Sequence, residues 1–283
     1  MGTSQSSNGS PSGVPMVPPW VPQPDSGQDT TGGETPNENP QQEQDSHQPN
    51  PPVDVPVIAP PGRFGPARSK LNKFASEGGS DYYRGGLKHY IKRGYGGSQN
   101  AVKRMSGSTS KAGTLYSALL SGSDNPFSGT GEPLDPVLLN GRSAEEVMDA
   151  IVEVVSPVDG TLDAEASRAS VKEALSEVLD ESPNADLLML TQEQREMAIM
   201  HFMAGDIFRR IDLDLGKDIR DNAPNASIGM KRLKEVKDYV KQTIFASFRR
   251  LKASGQVVST STVKSMVTNT IKDTFEIFEA YGL

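Results

Sequence analysis

The stretch TQEQREMAIMHFMAGDIFRRIDLDLGKDI, residues 191–219, decides the fold. Thr191 and, three positions later, Gln194 form a capping box, in which each side chain pairs with the other residue's backbone N–H at the start of a helix. Apolar residues then recur every three or four positions, which is the period of one helix face. The stretch therefore predicts one long amphipathic helix. Its predicted buried residues are Met197, Met200, Ala204, Ile207, Ile211, Leu215 and Ile219.

Similar signals occur on both sides of this helix. Ser143 and Glu146 form a second capping box, and Pro157 is expected to end the helix that follows it. Strand signals are nearly absent, so the sequence predicts an all-α fold with a helical bundle over residues 133–283. Further helices are predicted to start at Asp163 and at Thr260 or Ser261. Pro224 is predicted to be an early residue of another helix that lies between these two in the sequence. The helix after Pro224 is predicted to bury Met230, Leu233, Val240, Ile244, Phe248 and Leu251.

Residues 63–123 form a basic segment, with eleven Lys and Arg against two acids. Short helices are predicted there, separated by glycines that end them. A mixture of cations and tyrosines is typical of surfaces that bind phosphates and stack on bases. A surface for an acidic protein and a solvated helix face are the alternatives, and both stay open. One helix is predicted to bury Tyr83, Leu87, Tyr90 and Ile91. The candidate nucleic-acid-binding residues are Arg84, Lys88, Lys92, Arg93, Lys103 and Arg104.

Residues 1–62 have the composition of a disordered tail. They contain no Lys or Arg, seven acids, fourteen of the twenty-one prolines and Trp20, the chain's one tryptophan. Such a segment buries too little apolar surface to offset the entropy lost on ordering. A short apolar island within it is expected to dock in a partner's aromatic-lined groove. The alternatives are that this island has no binding role or that it packs on its own domain. The island comprises Val14, Pro15, Met16, Val17, Pro18, Pro19 and Trp20.

Gly2 is a candidate modification site. Methionine aminopeptidase removes Met1 before a small residue, which would leave a free and unhindered glycine amine. That amine has a pKa near 8, so a useful fraction is neutral at pH 7. Residues 1–6 also fit the N-myristoylation pattern, but no adjacent polybasic run supplies a second membrane signal.

The composition also excludes several classes of protein. There is no cysteine, which agrees with a reducing compartment, and no apolar run approaches a membrane span. A signal peptide is not apparent, so we expect a cytoplasmic protein. His201 has no second His or Cys at ligand spacing, so we expect it to be structural and expect no metal site. Asp206 and its charged neighbours are interpreted as an ion-paired helix surface. No nucleophile, base and oxyanion donor come together, so we expect no catalytic residues and no cofactor of the protein's own.

Five stretches of this sequence are similar to the QatB family of the bacterial Qat anti-phage defence system. The likeness extends from the first residue into the helical C-terminal part, and it identifies a family without identifying a mechanism. The stretches are MGTSQSS (1–7), GVPMVPPW (13–20), RFGPAR (63–68), GLKHY (86–90) and RSAEEVMDAI (142–151).

The resemblance implies three partners from the same system: a P-loop ATPase, a QueC-like protein and a TatD-like nuclease. QueC-type enzymes use ATP to activate a deazaguanine carboxylate and join it to a nitrogen nucleophile. The resemblance thus suggests that the QueC-like partner binds the ATP and the deazaguanine and conjugates the latter to Gly2. The expected function is that of a non-enzymatic scaffold and protein substrate. The alternative is an adaptor that uses residues 63–123 to bring a nuclease or an ATPase to phage DNA.

Overall fold

The computed structural model describes residues 62–120 and 139–282, all within one compact unit. Gly2 and the predicted docking segment, residues 14–20, lie outside the described residues. Every regular element in the described part is helical, which confirms the predicted all-α fold. The α-helices are α1 (Gly65–Glu77), α2 (Ser80–His89), α3 (Ser98–Arg104), α4 (Ser106–Ala118), α5 (Ala144–Val155), α6 (Leu162–Glu181), α7 (Gln192–Ile211), α8 (Lys217–Asn222), α9 (Ala226–Ala253) and α10 (Val263–Ala280). Two π-helical segments span Tyr90–Tyr95 and Asp212–Gly216.

Both predicted capping boxes are present. The Ser143 hydroxyl accepts from the Glu146 N–H at 3.3 Å, and the Glu146 carboxylate accepts from the Ser143 N–H at 2.9 Å. Thr191 and Gln194 form the same reciprocal pair at the start of α7. Because each box satisfies backbone donors that a helix start otherwise leaves unpaired, α5 and α7 begin where the sequence predicts.

Two other helix starts differ from the prediction. Thr161 caps α6, because its hydroxyl accepts a backbone N–H three positions later at 3.1 Å. Asp163 instead lies in the first turn, where the helix dipole favours a carboxylate. Asn225 caps α9 in the same way at 2.9 Å, so Pro224 precedes the helix. In both cases a polar residue that neighbours the predicted start has the extended backbone that a cap needs.

Two further predictions in the last two helices are wrong. The last helix, α10, begins after Thr262 rather than after Thr260 or Ser261. Met230 in α9 is exposed rather than buried, with 63% of its surface accessible. At that turn α9 instead turns the buried Gly229 towards α8, so the next residue along the helix points away from the core.

The basic segment packs as its apolar stripe predicts. Tyr83, Leu87, Tyr90 and Ile91 are all buried. Gly86 lies so close to α1 that an added Cβ would be 2.8 Å from the Leu71 side chain. The glycine that weakens α2 as a helix therefore permits the close packing of α1 and α2.

One hydrophobic core joins the basic segment to the C-terminal helices. α6 packs on α7, and α9 contacts both α7 and α10. α4 packs against α7 and α10, so residues 106–118 are part of the same bundle. None of the helices in the described part combines the length and the apolar character needed to cross a bilayer. The largest fully buried side chains include Phe74, Tyr90, Tyr116, Phe202, Phe248 and Phe275.

Candidate functional site

The described chain begins at a buried aromatic contact. The ring of Phe64 stacks on Tyr90, with 5.2 Å between ring centroids, and meets the edge of Tyr95 at 5.9 Å. The Arg63 guanidinium lies 4.5 Å from the centroid of the Phe64 ring. We call Phe64, Tyr90, Tyr95 and Asp214 the junction cluster, because it fixes the start of the helical body.

Hydroxyl groups connect the two π-helical segments within the junction cluster. The Tyr90 hydroxyl donates to Asp214 Oδ2 at 2.7 Å, and the Tyr95 hydroxyl donates to the same oxygen at 3.1 Å. A π-helix pairs residues five positions apart, which brings Tyr90 and Tyr95 to one side of the segment. Asp214 belongs to the second π-helical segment, so one carboxylate joins the two irregular turns. π-helical turns are frequent at functional sites.

Burial keeps the two tyrosines of the junction cluster protonated. It raises the pKa of Tyr90 well above the usual value, and the neighbouring Tyr95 and Asp214 raise it further. Burial also raises the pKa of Tyr95. Both hydroxyls therefore remain hydrogen-bond donors to Asp214 throughout the neutral range.

A cavity of about 100 Å³ that is lined by several charged residues lies beside the junction cluster, between the α3–α4 connection, α6 and α7. Its lining includes three cations, Arg104, Lys111 and Arg210, and two acids, Asp163 and Asp206. Arg210 forms an ion pair with Asp163 across α6 and α7. The cavity lining therefore carries more positive than negative charges, and two of these charges, on Arg210 and Asp163, are paired with each other.

Asp206 is buried, which corrects its interpretation as a surface residue. Its carboxylate accepts hydrogen bonds from the hydroxyls of Ser108 and of Ser167, the latter at 2.8 Å. These bonds connect α7 with α4 and α6. A charged residue pays a large desolvation penalty on burial unless hydrogen bonds compensate it, and the two serines supply that compensation. The neighbouring Arg209 and Arg210 do form ion pairs, with Glu173 and Asp163.

The six candidate nucleic-acid-binding residues lie in two different environments. The Arg84 guanidinium lies over the rings of Tyr239 at 5.0 Å and Tyr281 at 5.7 Å. Lys88 Nζ donates to the backbone oxygen of Tyr281 at 2.8 Å. These two cations thus hold α2 against α9 and the residues after α10. The other four are exposed: Lys92, Arg93, Lys103 and Arg104.

One group of described residues has the composition of a metal site. Glu177 and Glu181 lie one turn apart on α6, and His201 lies opposite them on α7. Sequence reasoning missed this group, because His201 was compared only with histidines and cysteines. The available signal was the pair of acids four positions apart, which places both carboxylates on one helix face.

Comparison with protein-family models identifies the family of this chain. The protein-family model described as "Qat anti-phage system associated protein QatB" matches residues 96–278. No curated protein and no solved structure matches the chain. The matched region covers more than half of the sequence and extends from the connection before α3 almost to the end of α10. The chain therefore belongs to the QatB family, the associated proteins of the Qat anti-phage system.

Proposed function

We propose that this Qat-system component is a non-enzymatic scaffold and the substrate of a protein modification. In this proposal Gly2 is presented to a QueC-like partner and is joined to a deazaguanine. The proposal takes Met1 as the initiator methionine, which sequencing of the natural protein's first residues tests directly. A P-loop ATPase and a TatD-like nuclease are the proposed further partners in the complex.

The observation that supports this proposal most is the anchoring of the chain at the junction cluster. Phe64 is 9% exposed and fixes the chain to the helical body, and sixty-one residues precede Gly62. A fully extended chain of that length spans at most about 200 Å. A terminal amine on such a segment can therefore reach the reaction centre of a protein bound to the body.

Two hydrogen-bonded carboxylates of the helical body also favour a scaffold. Asp206 connects three helices through two serine hydroxyls, and Asp214 connects two π-helical segments through two tyrosines. Hydrogen-bonded buried networks of this kind fix the relative positions of helices. Both carboxylates therefore have structural partners, and those of Asp206 account for its burial.

The proposed reaction needs a neutral amine and an activated acyl group. The partner would bind ATP and the deazaguanine and activate the carboxylate. The Gly2 nitrogen then forms an amide bond with the carboxyl carbon, the activating phosphate-containing group leaves, and the amine loses a proton. Residues 3–22 would dock on the partner with Trp20 as the anchor, since Trp is enriched at the energetic centre of interfaces.

Intact-mass measurement tests the modification. The full chain is co-expressed with its QueC-like partner and purified, and we expect the mass of the Met-cleaved chain plus one deazaguanine acyl group. Gly2→Pro should abolish the addition, because its amine is secondary and hindered. Gly2→Ala is the matched control, since it keeps a primary amine after Met1 removal and should still be modified.

Two outcomes would refute the proposed conjugation. One is recovery of only the Met-cleaved, unmodified mass from cells that contain the active partner. The other is a mass increase that persists in Gly2→Pro, which would place the modification on another residue. An added myristoyl mass with pelleting on membranes would support a lipid-anchored adaptor instead.

A second candidate function is a nucleic-acid-binding adaptor, favoured by the exposure of four candidate cations. Charge reversal of Lys92, Arg93, Lys103 and Arg104 together should weaken duplex DNA binding about a hundredfold or more in gel shift, because phosphate contacts dominate such affinities. Absence of DNA binding by the protein without substitutions, or unchanged DNA binding by the variant, would argue against the adaptor function. The matched control reverses four exposed cations elsewhere: Lys217, Lys231, Lys234 and Lys264.

A further inference from the structure

Three ligand-type side chains meet where α6 packs on α7. The side chain of His201 is only 4% exposed. Its Nδ1 lies 3.5 Å from Glu177 Oε2, and its Nε2 lies 3.3 Å from Glu181 Oε1. Two carboxylates on α6 therefore flank both nitrogens of one buried ring on α7.

A neutral imidazole does not satisfy this arrangement. It carries one N–H, so it can donate a hydrogen bond to only one of the two carboxylates. His201 Nε2 is buried, and no hydrogen bond within the described residues satisfies it. A cation bound at Nε2 would give this buried atom the partner that it lacks.

We propose that Glu177, Glu181 and His201 bind a divalent transition-metal ion of the zinc class. A cation in this position would accept the imidazole lone pair and neutralise two carboxylates at once. One potential ligand atom from each residue lies within 4.8 Å of the others. Zinc holds nitrogen and oxygen ligands at about 2.0–2.2 Å, which places tetrahedral ligand atoms about 3.4 Å apart, so the three groups must move together by up to about 1.4 Å to bind it.

The chemistry of the ligands favours zinc over calcium or magnesium. Calcium and magnesium prefer oxygen ligands alone, whereas imidazole with carboxylates suits zinc and its neighbours in the transition series. Glu181 has a half-exposed side chain, so it can adjust its rotamer to the ion. Three protein ligands leave a coordination position for water or for a donor from another protein.

The surroundings hold the ring in place and keep one nearby acid out of the site. Phe245 meets the His201 ring edge-on, with 5.0 Å between ring centroids. Glu173 lines the same small cavity, but it is paired with Arg209 and Lys237. Lys241 Nζ lies 3.0 Å from Glu177 Oε2, and metal binding must displace it from that oxygen. Displacement of Lys241 would lower the affinity relative to that of an unobstructed site.

Zinc titration of the full chain tests the proposal. The protein is stripped with a chelator, and zinc chloride is added in competition with a chromophoric indicator. We expect one equivalent per chain, and we expect His201→Gln and Glu181→Gln each to weaken binding about a hundredfold or more, since each removes a direct ligand. His89→Gln is the matched control and should bind zinc as the unmodified sequence does.

Thermal unfolding separates loss of the site from loss of the fold. Zinc should raise Tm of the unmodified sequence and of His89→Gln, because it binds the folded state. It should leave Tm of Glu181→Gln unchanged, and that substitution at a half-exposed carboxylate keeps the core intact. Absence of saturable zinc binding, or equal affinity in Glu181→Gln and the unmodified sequence, would overturn the proposal. Cobalt in place of zinc should give a visible d–d spectrum that His201→Gln abolishes.

Discussion

Phe64→Ala is expected to lower the free energy of unfolding by about 3–4 kcal/mol, in the range found when a buried aromatic side chain is truncated. The ring stacks on Tyr90 and also covers Gly94, where an added Cβ would lie 2.4 Å from it. Truncation thus leaves a cavity at the contact that fixes the start of the helical body. Urea denaturation followed by circular dichroism measures the change.

The matched control for this substitution is Val158→Ala, at an apolar residue that is 64% exposed. It should alter the free energy of unfolding by no more than about 0.5 kcal/mol. Phe64→Leu should have an intermediate effect, because it keeps part of the buried volume. A loss below about 1 kcal/mol for Phe64→Ala, with an unchanged denaturant slope, would show that the ring is not packed as described.

The second large effect is a loss of stability at alkaline pH. The folded state raises the pKa values of Tyr90 and Tyr95, so it binds their protons more tightly than the unfolded state does. These two raised pKa values add to the free energy of unfolding. The added stability is fully present below the unfolded-state pKa of about 10, and it is lost as the pH rises towards the folded-state pKa values. Each tyrosine then contributes a slope of up to about 1.4 kcal/mol per pH unit. The free energy of unfolding should therefore fall by up to about 2.7 kcal/mol per unit above pH 10 from these two residues.

Urea denaturation at a series of alkaline pH values measures this decline. The double variant Tyr90→Phe, Tyr95→Phe should be less stable at neutral pH, since Asp214 loses two hydrogen bonds, but its alkaline slope should be shallower. Tyrosines elsewhere in the chain contribute equally to both proteins. Equal alkaline slopes would show that these two hydroxyls do not carry the effect.

Local signals in the sequence were sufficient to predict the fold class and several helix boundaries. A capping box is a contact between residues three apart, so Ser143 and Thr191 could be identified without tertiary information. Thr161 was missed because several capping residues stand close together, and the backbone conformation decides among them. Met230 was misplaced because the helical period does not show which residue at a given turn meets a neighbouring helix.

The π-helical segments and the candidate sites depend on long-range contacts. The two segments meet through Asp214, which lies 124 residues from Tyr90 in sequence. Asp206 accepts a hydrogen bond from Ser108, which lies 98 residues away in sequence. The position of Asp206 among charged residues therefore gave no indication that it is buried. The sequence predicted Arg84 and Lys88 as candidate nucleic-acid-binding cations, but it could not show that Tyr281 contacts both. For the same reason the three proposed zinc ligands were not brought together from the sequence.

The junction cluster also determines how mechanical tension would enter this protein. A force along the preceding residues, from a bound protein or from an unfolding motor, is first borne by the ring of Phe64. The force then passes to Tyr90 and Tyr95 and, through Asp214, into the second π-helical segment. The first rupture under load should therefore separate two irregular helical turns, while the bundle beyond them remains intact.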